Sequence, residues 1–228
     1  MKILLLISGL LLAVYTTKMS QGLLNTAMSF IEKQEGGKIN ISTGKVLYDE
    51  EKDIYLPYPE YGTDKLAIGP GLNTFNYKSI ENREYSGEEI REEFKNRVSS
   101  LIYNLEGQIP NWKDLNTNQQ ASIVSLAYNV GIDTFKHKTV DGERVETDAY
   151  KALIEGDYKK FKEEAFDPDK GFVRVKGDVV KGLQNRREKE EDLFEEIIEE
   201  PKKESDSLDV GIEDTLVDDW TSQTSIIE

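Results

Sequence analysis

The chain has 228 residues, enough for one well-packed domain with appendages, and its share of hydrophobic residues (37%) is typical of a globular protein. It contains no cysteine, which excludes disulfide scaffolds, thiol nucleophiles and thiolate metal sites, and its net charge of −15 argues against nucleic acid as a partner. The single histidine, His137, lies in a polar stretch that predicts a loop, and one histidine cannot build a multi-histidine zinc site. Carboxylates therefore remain as the candidate reactive groups.

The first 20 residues are apolar between Lys2 and Thr16, over a stretch of about 13 residues. This length suits a signal peptide and falls short of the roughly 20 residues of a spanning helix. We predict that residues 1–20 are a signal peptide, with an uncleaved signal anchor and a buried N-terminal helix as alternatives. Export to the periplasm or cell-wall compartment follows from the first interpretation, and contact with a membrane follows from the second.

Apolar residues at helical spacing predict the first helix over residues 21–34, and Gly36 and Gly37 end this pattern. Glu35 is therefore expected at the C-terminus of a helix. Between Lys38 and Phe75 the sequence changes to short β-rich runs that are broken by glycine, proline, aspartate and asparagine. These runs predict a small antiparallel sheet.

The segments that follow are helical in pattern. Ser86 and Glu89 have capping-box spacing at the start of a long amphipathic helix that is expected to end near Gly107. A second capping box is predicted at Thr117, and the segment from there to Gly131 is apolar on nearly every side, so it should lie in the middle of the core. Further helices are predicted over residues 147–155, 158–166 and 179–198. A small sheet followed by a helical body is an α+β fold.

The composition changes after residue 198, so we predict three parts: residues 1–20, a folded domain over 21–198, and a tail over 199–228. The tail has ten acidic residues against two lysines, a net charge of −8. Such a charge run is typical of a solvated extension. Trp220, Ile226 and Ile227 near its end indicate an alternative, an anchor on a protein partner.

Four sequence blocks carry a resemblance to a known family. They are IEKQEGG (31–37), LAIGPGLNT (66–74), LNTNQQASIVSLAYNVG (115–131) and GLQNRREKEEDLF (182–194). In this order they resemble the bacteriophage lysozyme, or endolysin, family, glycoside hydrolase family 24. The resemblance implies a lysozyme-like α+β fold, with a small antiparallel β-lobe, a mainly helical lobe and an active-site cleft between them. It also implies hydrolysis of the bond between N-acetylmuramic acid and N-acetylglucosamine in bacterial peptidoglycan, by an inverting mechanism.

Glu35 matches the family's proton donor. A proton donor must hold its proton near neutral pH, and the negative end of a helix dipole disfavours a charged carboxylate. The alternative is a solvent-exposed glutamate at a helix end that takes no part in chemistry.

The second catalytic carboxylate is open, because this sequence carries an insertion between Glu35 and the glycine-containing strand. Glu60 is the first candidate, since Tyr58-Pro59-Glu60 resembles the family's Y-x-D. Asp49 and Asp64 are the alternatives, followed by Asp53. Each of them is equally explained as a turn residue, which is a common position for aspartate.

Two positions depart from the family pattern. Ala67 stands where the family has the threonine that holds the attacking water, and Leu72 stands where it has a histidine. Thr63 or Thr74 could supply the missing hydroxyl, or the carboxylate alone could position the water. Loss of one positioning group lowers the rate by tens to thousands of fold without abolishing it.

The remaining motif residues receive lesser roles. Gly69 and Gly71 would let a sugar approach the backbone, or simply permit a bend. Asn129 is expected near the cleft rim as a substrate-binding residue. Arg186, Arg187 and Glu190 are interpreted as structural ion-pairing groups.

The leading hypothesis is an exported muramidase that acts in phage lysis or wall penetration. Two rivals remain. One is a weakened lysozyme-like module that binds the wall or belongs to the virion, and the other is an enzyme of the same fold that cuts another polymer such as chitin.

Overall fold

The computed structural model describes residues 21–35, 47–59, 64–75, 78–175 and 177–196. The predicted signal segment, the glycines that follow Glu35, Glu60, Thr63 and the acidic tail lie outside these residues. Seven α-helices occur in the described part of the chain: α1 Gln21–Glu35, α2 Gly87–Gln108, α3 Thr117–Val130, α4 Ile132–Lys136, α5 Asp148–Glu155, α6 Tyr158–Ala165 and α7 Lys181–Glu195, with a 3-10 helix at Trp112–Asp114. None of them combines the length and the hydrophobicity that a membrane span requires.

The strands are short: β1 Tyr48–Asp49, β2 Ile54–Tyr55, β3 Tyr58–Pro59, β4 Leu66–Ala67, β5 Thr74–Phe75, β6 Lys78–Ser79, β7 Tyr85–Ser86, β8 His137–Val140, β9 Glu143–Glu146, β10 Arg174–Val175 and β11 Asp178–Val179. All pairings among them are antiparallel. The fold is α+β, which confirms the predicted class.

The region before α2 differs from the predicted small sheet. Within the residues described, it contains a three-stranded sheet, β1-β2-β7, and two separate pairs, β3-β4 and β5-β6. Proline cannot donate to a strand ladder, and glycines at positive φ turn the chain. Pro57 and Pro59 and the turn after Ala67 therefore break the region into two-residue pairings instead of one continuous sheet.

The core is organised around α3, as its apolar sequence predicted. Seven consecutive residues, Ala121 to Ala127, are buried, and α3 packs against α1, α2 and α7. Burying one Leu- or Ile-sized side chain contributes about 1.5–3 kcal/mol. The helix is thus stabilised by packing on all sides, and α1 and α7, which both pack against it, meet where Glu35 contacts Arg186.

The helix caps confirm one prediction and correct another. Ser86 caps α2 in a full capping box with Glu89. The second box is one residue earlier than predicted, since Asn116 and Gln119 exchange the two capping hydrogen bonds and Thr117 is already helical. Asparagine accepts the N3 amide at least as well as threonine, so the helix begins there.

Two hairpins were not predicted. His137 is the first residue of strand β8, not a loop residue, and β8 pairs with β9 across Asp141-Gly142. Both turn residues have positive φ, +53 and +84, as expected for the Asp-Gly sequence that is a strong hairpin signal. A second hairpin, β10-β11, occupies the start of the segment predicted as helix over 179–198, so α7 begins only at Lys181.

Candidate active site

Glu35 is the last described residue of α1, and its carboxylate is held on both sides. Oε1 forms an ion pair with Nη1 of Arg186 in α7. Oε2 lies against the backbone of Gly71, so close that a Cβ added to this glycine would be 2.7 Å away. The side chain of Glu35 keeps 19% of its surface exposed, against 8% for Arg186. Glu35 is therefore a fixed carboxylate that solvent still reaches, as a group that exchanges protons with a bound molecule requires.

The backbone beside Glu35 is a tight turn, named here the Gly-Pro-Gly turn (residues 69–71). Ile68 and Leu72 exchange backbone hydrogen bonds of 2.8 and 3.0 Å across it. Gly69 and Gly71 have positive φ, +54 and +75, a conformation that glycine adopts without steric cost. The turn is thus built for glycine, and Gly71 has no side chain that would displace the carboxylate.

Three other elements hold the Gly-Pro-Gly turn in place. Tyr128 of α3 donates its hydroxyl to the carbonyl of Pro70 at 2.8 Å. Tyr58 of β3 donates its hydroxyl to the carbonyl of Gly69 at 3.3 Å. On the α2 side, a Cβ on Gly69 would lie 2.6 Å from Cγ2 of Ile90. The position of the turn is therefore set from the sheet region and from two helices.

Arg186 is anchored in a buried polar cluster between α7 and α3, named here the α7 network. Its members are Ser122, Ser125, Asn129, Arg186, Arg187 and Glu190. Glu190 accepts from Nε of Arg186 at 3.0 Å and from the hydroxyl of Ser125 at 2.6 Å, and it lies 2.7 Å from Nε of Arg187. The side chains of Arg187 and Glu190 are fully buried. The guanidinium that reaches Glu35 is thus fixed by groups shielded from water.

Electrostatics keep the α7 network charged. Burial acts to lower the pKa of the Arg186 guanidinium, but the carboxylates of Glu35 and Glu190 outweigh this and hold its pKa above the usual value. Burial lowers the pKa of Arg187 to about 10, and Glu190 opposes the shift. Both arginines remain protonated at neutral pH. Glu190 contacts both cations, and pairing of this kind is what makes buried charge tolerable.

Asp49, a candidate second carboxylate, stabilises the turn that follows it. Its Oδ1 accepts the backbone N–H groups of Glu51 and Lys52, each at 3.1 Å, and its Oδ2 lies 3.3 Å from Nζ of Lys52. The backbone N–H of Lys52 is the main cause that holds the pKa of Asp49 below its usual value. Asp64 is exposed after the gap in the described residues. The structure brings neither of them into a described contact with Glu35.

Asp53 belongs to an ion pair between the sheet region and α2. Both of its carboxylate oxygens accept from Arg91, at 2.9 and 2.7 Å, and Oδ1 also accepts from the hydroxyl of Tyr48 at 2.8 Å. Arg91 and then Tyr48 lower the pKa of Asp53 to about 2. We call Asp53 and Arg91 the surface pair, because their side chains are 42% and 56% exposed.

Glu60 lies just outside the described residues, and its role stays a prediction. The residue before it, Pro59, pairs with Leu66, and Tyr58 pairs with Ala67. Strand β4 leads directly into the Gly-Pro-Gly turn. Strand β3, which ends one residue before Glu60, therefore pairs with the strand that leads to Gly71.

The two departures from the family pattern are both core positions. Ala67 is 3% exposed and Leu72 is 0% exposed, so each contributes an apolar contact where the family has a polar side chain. The hydroxyl of Thr74 accepts from Nη2 of Arg97 at 2.6 Å. Thr74, a candidate for holding the attacking water, is thus tied to α2.

Sequence reasoning missed two residues of this site. Arg186 was interpreted as a structural ion-pairing group, and the structure adds a direct contact with Glu35, 151 residues earlier in the chain. Tyr128 had no assigned role. Asn129, expected to bind substrate, accepts from Nη2 of Arg187 at 3.0 Å. An arginine pair followed by a glutamate signals an ion network, but no local pattern identifies its distant partner.

The sequence matches the family model described as phage lysozyme over residues 56–190. The matched region begins after Glu35 and includes the Gly-Pro-Gly turn, Tyr128 and the α7 network. No curated protein sequence matches the chain at a significant level.

Three solved structures have a similar fold. The active form of P1 phage endolysin Lyz has a TM-score of 0.55 and 18% identity, with 82% of this chain and 92% of that one covered. The muramidase domain of SpmX from Asticaccaulis excentricus has a TM-score of 0.52 and 19% identity, covering 79% and 99%. The endolysin from Escherichia coli O157:H7 phage FAHEc1 has a TM-score of 0.51 and 17% identity, covering 78% and 94%. At these identities the likeness concerns the fold.

Proposed function

The chain belongs to the phage lysozyme family, and we propose that it is a peptidoglycan hydrolase, an N-acetylmuramidase with Glu35 as its general acid. The proposed reaction cleaves the glycosidic bond between N-acetylmuramic acid and N-acetylglucosamine. One observation carries the proposal: Glu35 is held, partly exposed, between Arg186 and the Gly-Pro-Gly turn. Endolysins and a muramidase domain share this fold.

The chemistry requires two carboxyl groups and neither metal nor cofactor. Glu35 protonates the oxygen of the leaving sugar. A second carboxylate activates water or stabilises the cationic sugar. Glu60 is our first choice for it, and Asp64 and Asp49 follow. Asp49 ranks last because its Oδ1 already accepts two backbone hydrogen bonds.

The groups around Glu35 suit a carbohydrate. Gly69 and Gly71 present backbone without side chains, so a sugar ring can approach closely. Asn129 uses its carbonyl oxygen for Arg187, so a bond to the substrate would come from its NH2 group. We propose these three residues as substrate-binding groups.

The apolar stretch before residue 20 supports export to the periplasm or cell-wall compartment, where peptidoglycan lies. We propose host lysis as the role. Membrane anchoring before release and association with the virion are the alternatives. The acidic tail is proposed as a solvated extension, with a protein partner as the alternative.

A second candidate function is a catalytically weakened wall-binding module. The buried methyl group of Ala67 favours it, because a methyl group cannot hydrogen-bond the attacking water. Under this alternative the protein would bind peptidoglycan and release few or no fragments.

Turbidity loss of purified peptidoglycan tests the proposal on wild type and Glu35→Gln. We expect Glu35→Gln to lower the rate by about a thousandfold or more, since the leaving oxygen loses its proton donor. Glu155→Gln is the matched control, because Glu155 also ends a helix before a glycine and is exposed. Full activity of Glu35→Gln would reject Glu35 as the acid, and a wild type that binds without releasing fragments would support the weakened module.

Mass spectrometry of the fragments identifies the bond that is cut. A muramidase leaves reducing N-acetylmuramic acid ends, and other reducing ends would reject the proposed specificity. The same assay on Glu60→Gln, Asp64→Asn and Asp49→Asn assigns the second carboxylate. We expect a loss comparable to that of Glu35→Gln in one of the three and near wild-type rates in the others.

A further inference from the structure

Tyr128 connects the helical core to the turn beside Glu35. Its hydroxyl donates to the carbonyl of Pro70 at 2.8 Å, and its ring packs edge-on against Phe94 with centroids 5.8 Å apart. Burial, and next to it the Glu35 carboxylate, raise the pKa of the Tyr128 phenol above its usual value. The phenol therefore keeps its proton at neutral pH and acts as a hydrogen-bond donor.

The carbonyl that Tyr128 binds belongs to the peptide plane that leads to Gly71. A peptide unit is planar and rigid, so fixing the Pro70 oxygen also fixes the Gly71 nitrogen and the direction of its Cα. Gly71 is the residue whose backbone lies against Oε2 of Glu35. A single peptide unit thus connects the hydrogen bond of Tyr128 with the contact that Gly71 makes to the Glu35 carboxylate.

The other hydrogen bonds described at this turn involve backbone groups of Ile68, Gly69, Gly71 and Leu72, and not the Pro70 carbonyl. Both glycines of the turn lack a Cβ and have broad conformational freedom. The turn carries a hydrogen bond from the Gly71 N–H to the Gly69 carbonyl, 2.8 Å, and Tyr58 holds that same Gly69 carbonyl at a longer distance of 3.3 Å. The Pro70 carbonyl, which belongs to the peptide unit that leads to Gly71, accepts from Tyr128.

We propose that Tyr128 is a positioning residue for Glu35: its hydroxyl orients the Pro70–Gly71 peptide plane, and this plane sets where Oε2 of Glu35 lies. The proposal rests on the function of Glu35 as general acid. It assigns Tyr128 no contact with substrate, so loss of its hydroxyl should affect the chemical step more than substrate binding.

The test measures kcat and KM on soluble, uncrosslinked peptidoglycan strands for Tyr128→Phe. We expect kcat to fall about tenfold and KM to change much less, because a small misplacement of a catalytic group costs rate more than affinity. Tyr150→Phe is the matched control. Its hydroxyl also donates to a backbone carbonyl, that of Gln108 at 2.9 Å, and it should keep wild-type kcat. Thermal unfolding of both variants checks that they are folded.

A double-mutant cycle separates positioning from general loosening. Gly71→Ala places a Cβ 2.7 Å from Oε2 of Glu35 and should lower kcat by itself. Gly142→Ala has the same positive-φ strain, with nothing within 4 Å of the added Cβ, and controls for strain alone. If Tyr128 acts through Gly71, adding Tyr128→Phe to Gly71→Ala should cost less than about twofold.

Three results would overturn the proposal: wild-type kcat in Tyr128→Phe, equal losses in Tyr128→Phe and Tyr150→Phe, or a full further tenfold loss on top of Gly71→Ala. Failure of the proposed function gives a different result. Either wild type would then release no fragments, or Glu35→Gln would keep full activity. An active wild type and an inactive Glu35→Gln, together with wild-type kcat in Tyr128→Phe, reject only the role of Tyr128.

Discussion

The surface pair and the α7 network use the same chemical groups in opposite surroundings. In the surface pair, Arg91 binds both oxygens of Asp53 while both side chains keep roughly half of their surface in water. In the α7 network, Glu190 and Arg187 are fully buried and Arg186 is 8% exposed. Only the second group reaches Glu35.

The contrast shows why contact geometry does not measure the strength of an ion pair. The surface pair has bidentate geometry, but water and salt screen it, and exposed pairs contribute little. The buried network gains from a low dielectric, and each of its charges depends on the others because none can return to water in the folded state. Because it is buried, the α7 network should matter more for stability than the surface pair, and Arg186 of this network is the group that contacts Glu35.

The largest expected effect is on Glu190→Gln. Removing this carboxylate leaves two buried guanidinium groups with one less anion, which should lower the free energy of unfolding by about 3–5 kcal/mol. Urea denaturation measures it, and Asp53→Asn is the matched control, with a much smaller expected shift. Equal shifts in the two variants would break the comparison.

The pH dependence of the surface pair is the next effect in size. The pKa of Asp53 is lowered from 3.8 to about 2 in the folded protein. A lowered carboxylate pKa stabilises the fold above the unfolded value, and this contribution disappears as the pH falls through the folded value. The stability advantage of wild type over Asp53→Asn should therefore be constant above about pH 5 and vanish only below about pH 2. Urea midpoints at each pH test this, and an advantage that persists at the lowest pH would contradict the assigned shift.

Salt should give the smallest effect and separate the two groups most directly. At about 1 M ionic strength the screening length is about 3 Å, which weakens exposed pairs and hardly touches buried ones. The difference in melting temperature between wild type and Asp53→Asn should shrink with added NaCl. The difference in melting temperature between wild type and Glu190→Gln should not change. If this difference shrank as much as that of Asp53→Asn, water and ions would have to reach the α7 network.

Local sequence patterns predicted most helices, because helix caps and apolar periodicity depend on residues within a few positions. Ser86 and Glu89 show this for α2, and the all-apolar face pattern shows it for α3. The strand region was harder to predict. Strands of two residues are too short to show an alternating pattern of apolar and polar side chains. The Asp141-Gly142 hairpin signal lies among polar residues around His137, and these residues by themselves indicate a loop.

The sequence by itself determined the α+β class, the helix that leads to Glu35 and the glycines that permit the Gly-Pro-Gly turn, since these depend on backbone preferences and on side-chain spacing along the chain. Only the tertiary structure decided what meets Glu35. Arg186 and Gly71 reach it because α3 is buried on all sides and so draws α1, α7 and the turn together. Contacts between residues far apart in the chain follow from packing in three dimensions, and no local pattern carries that information.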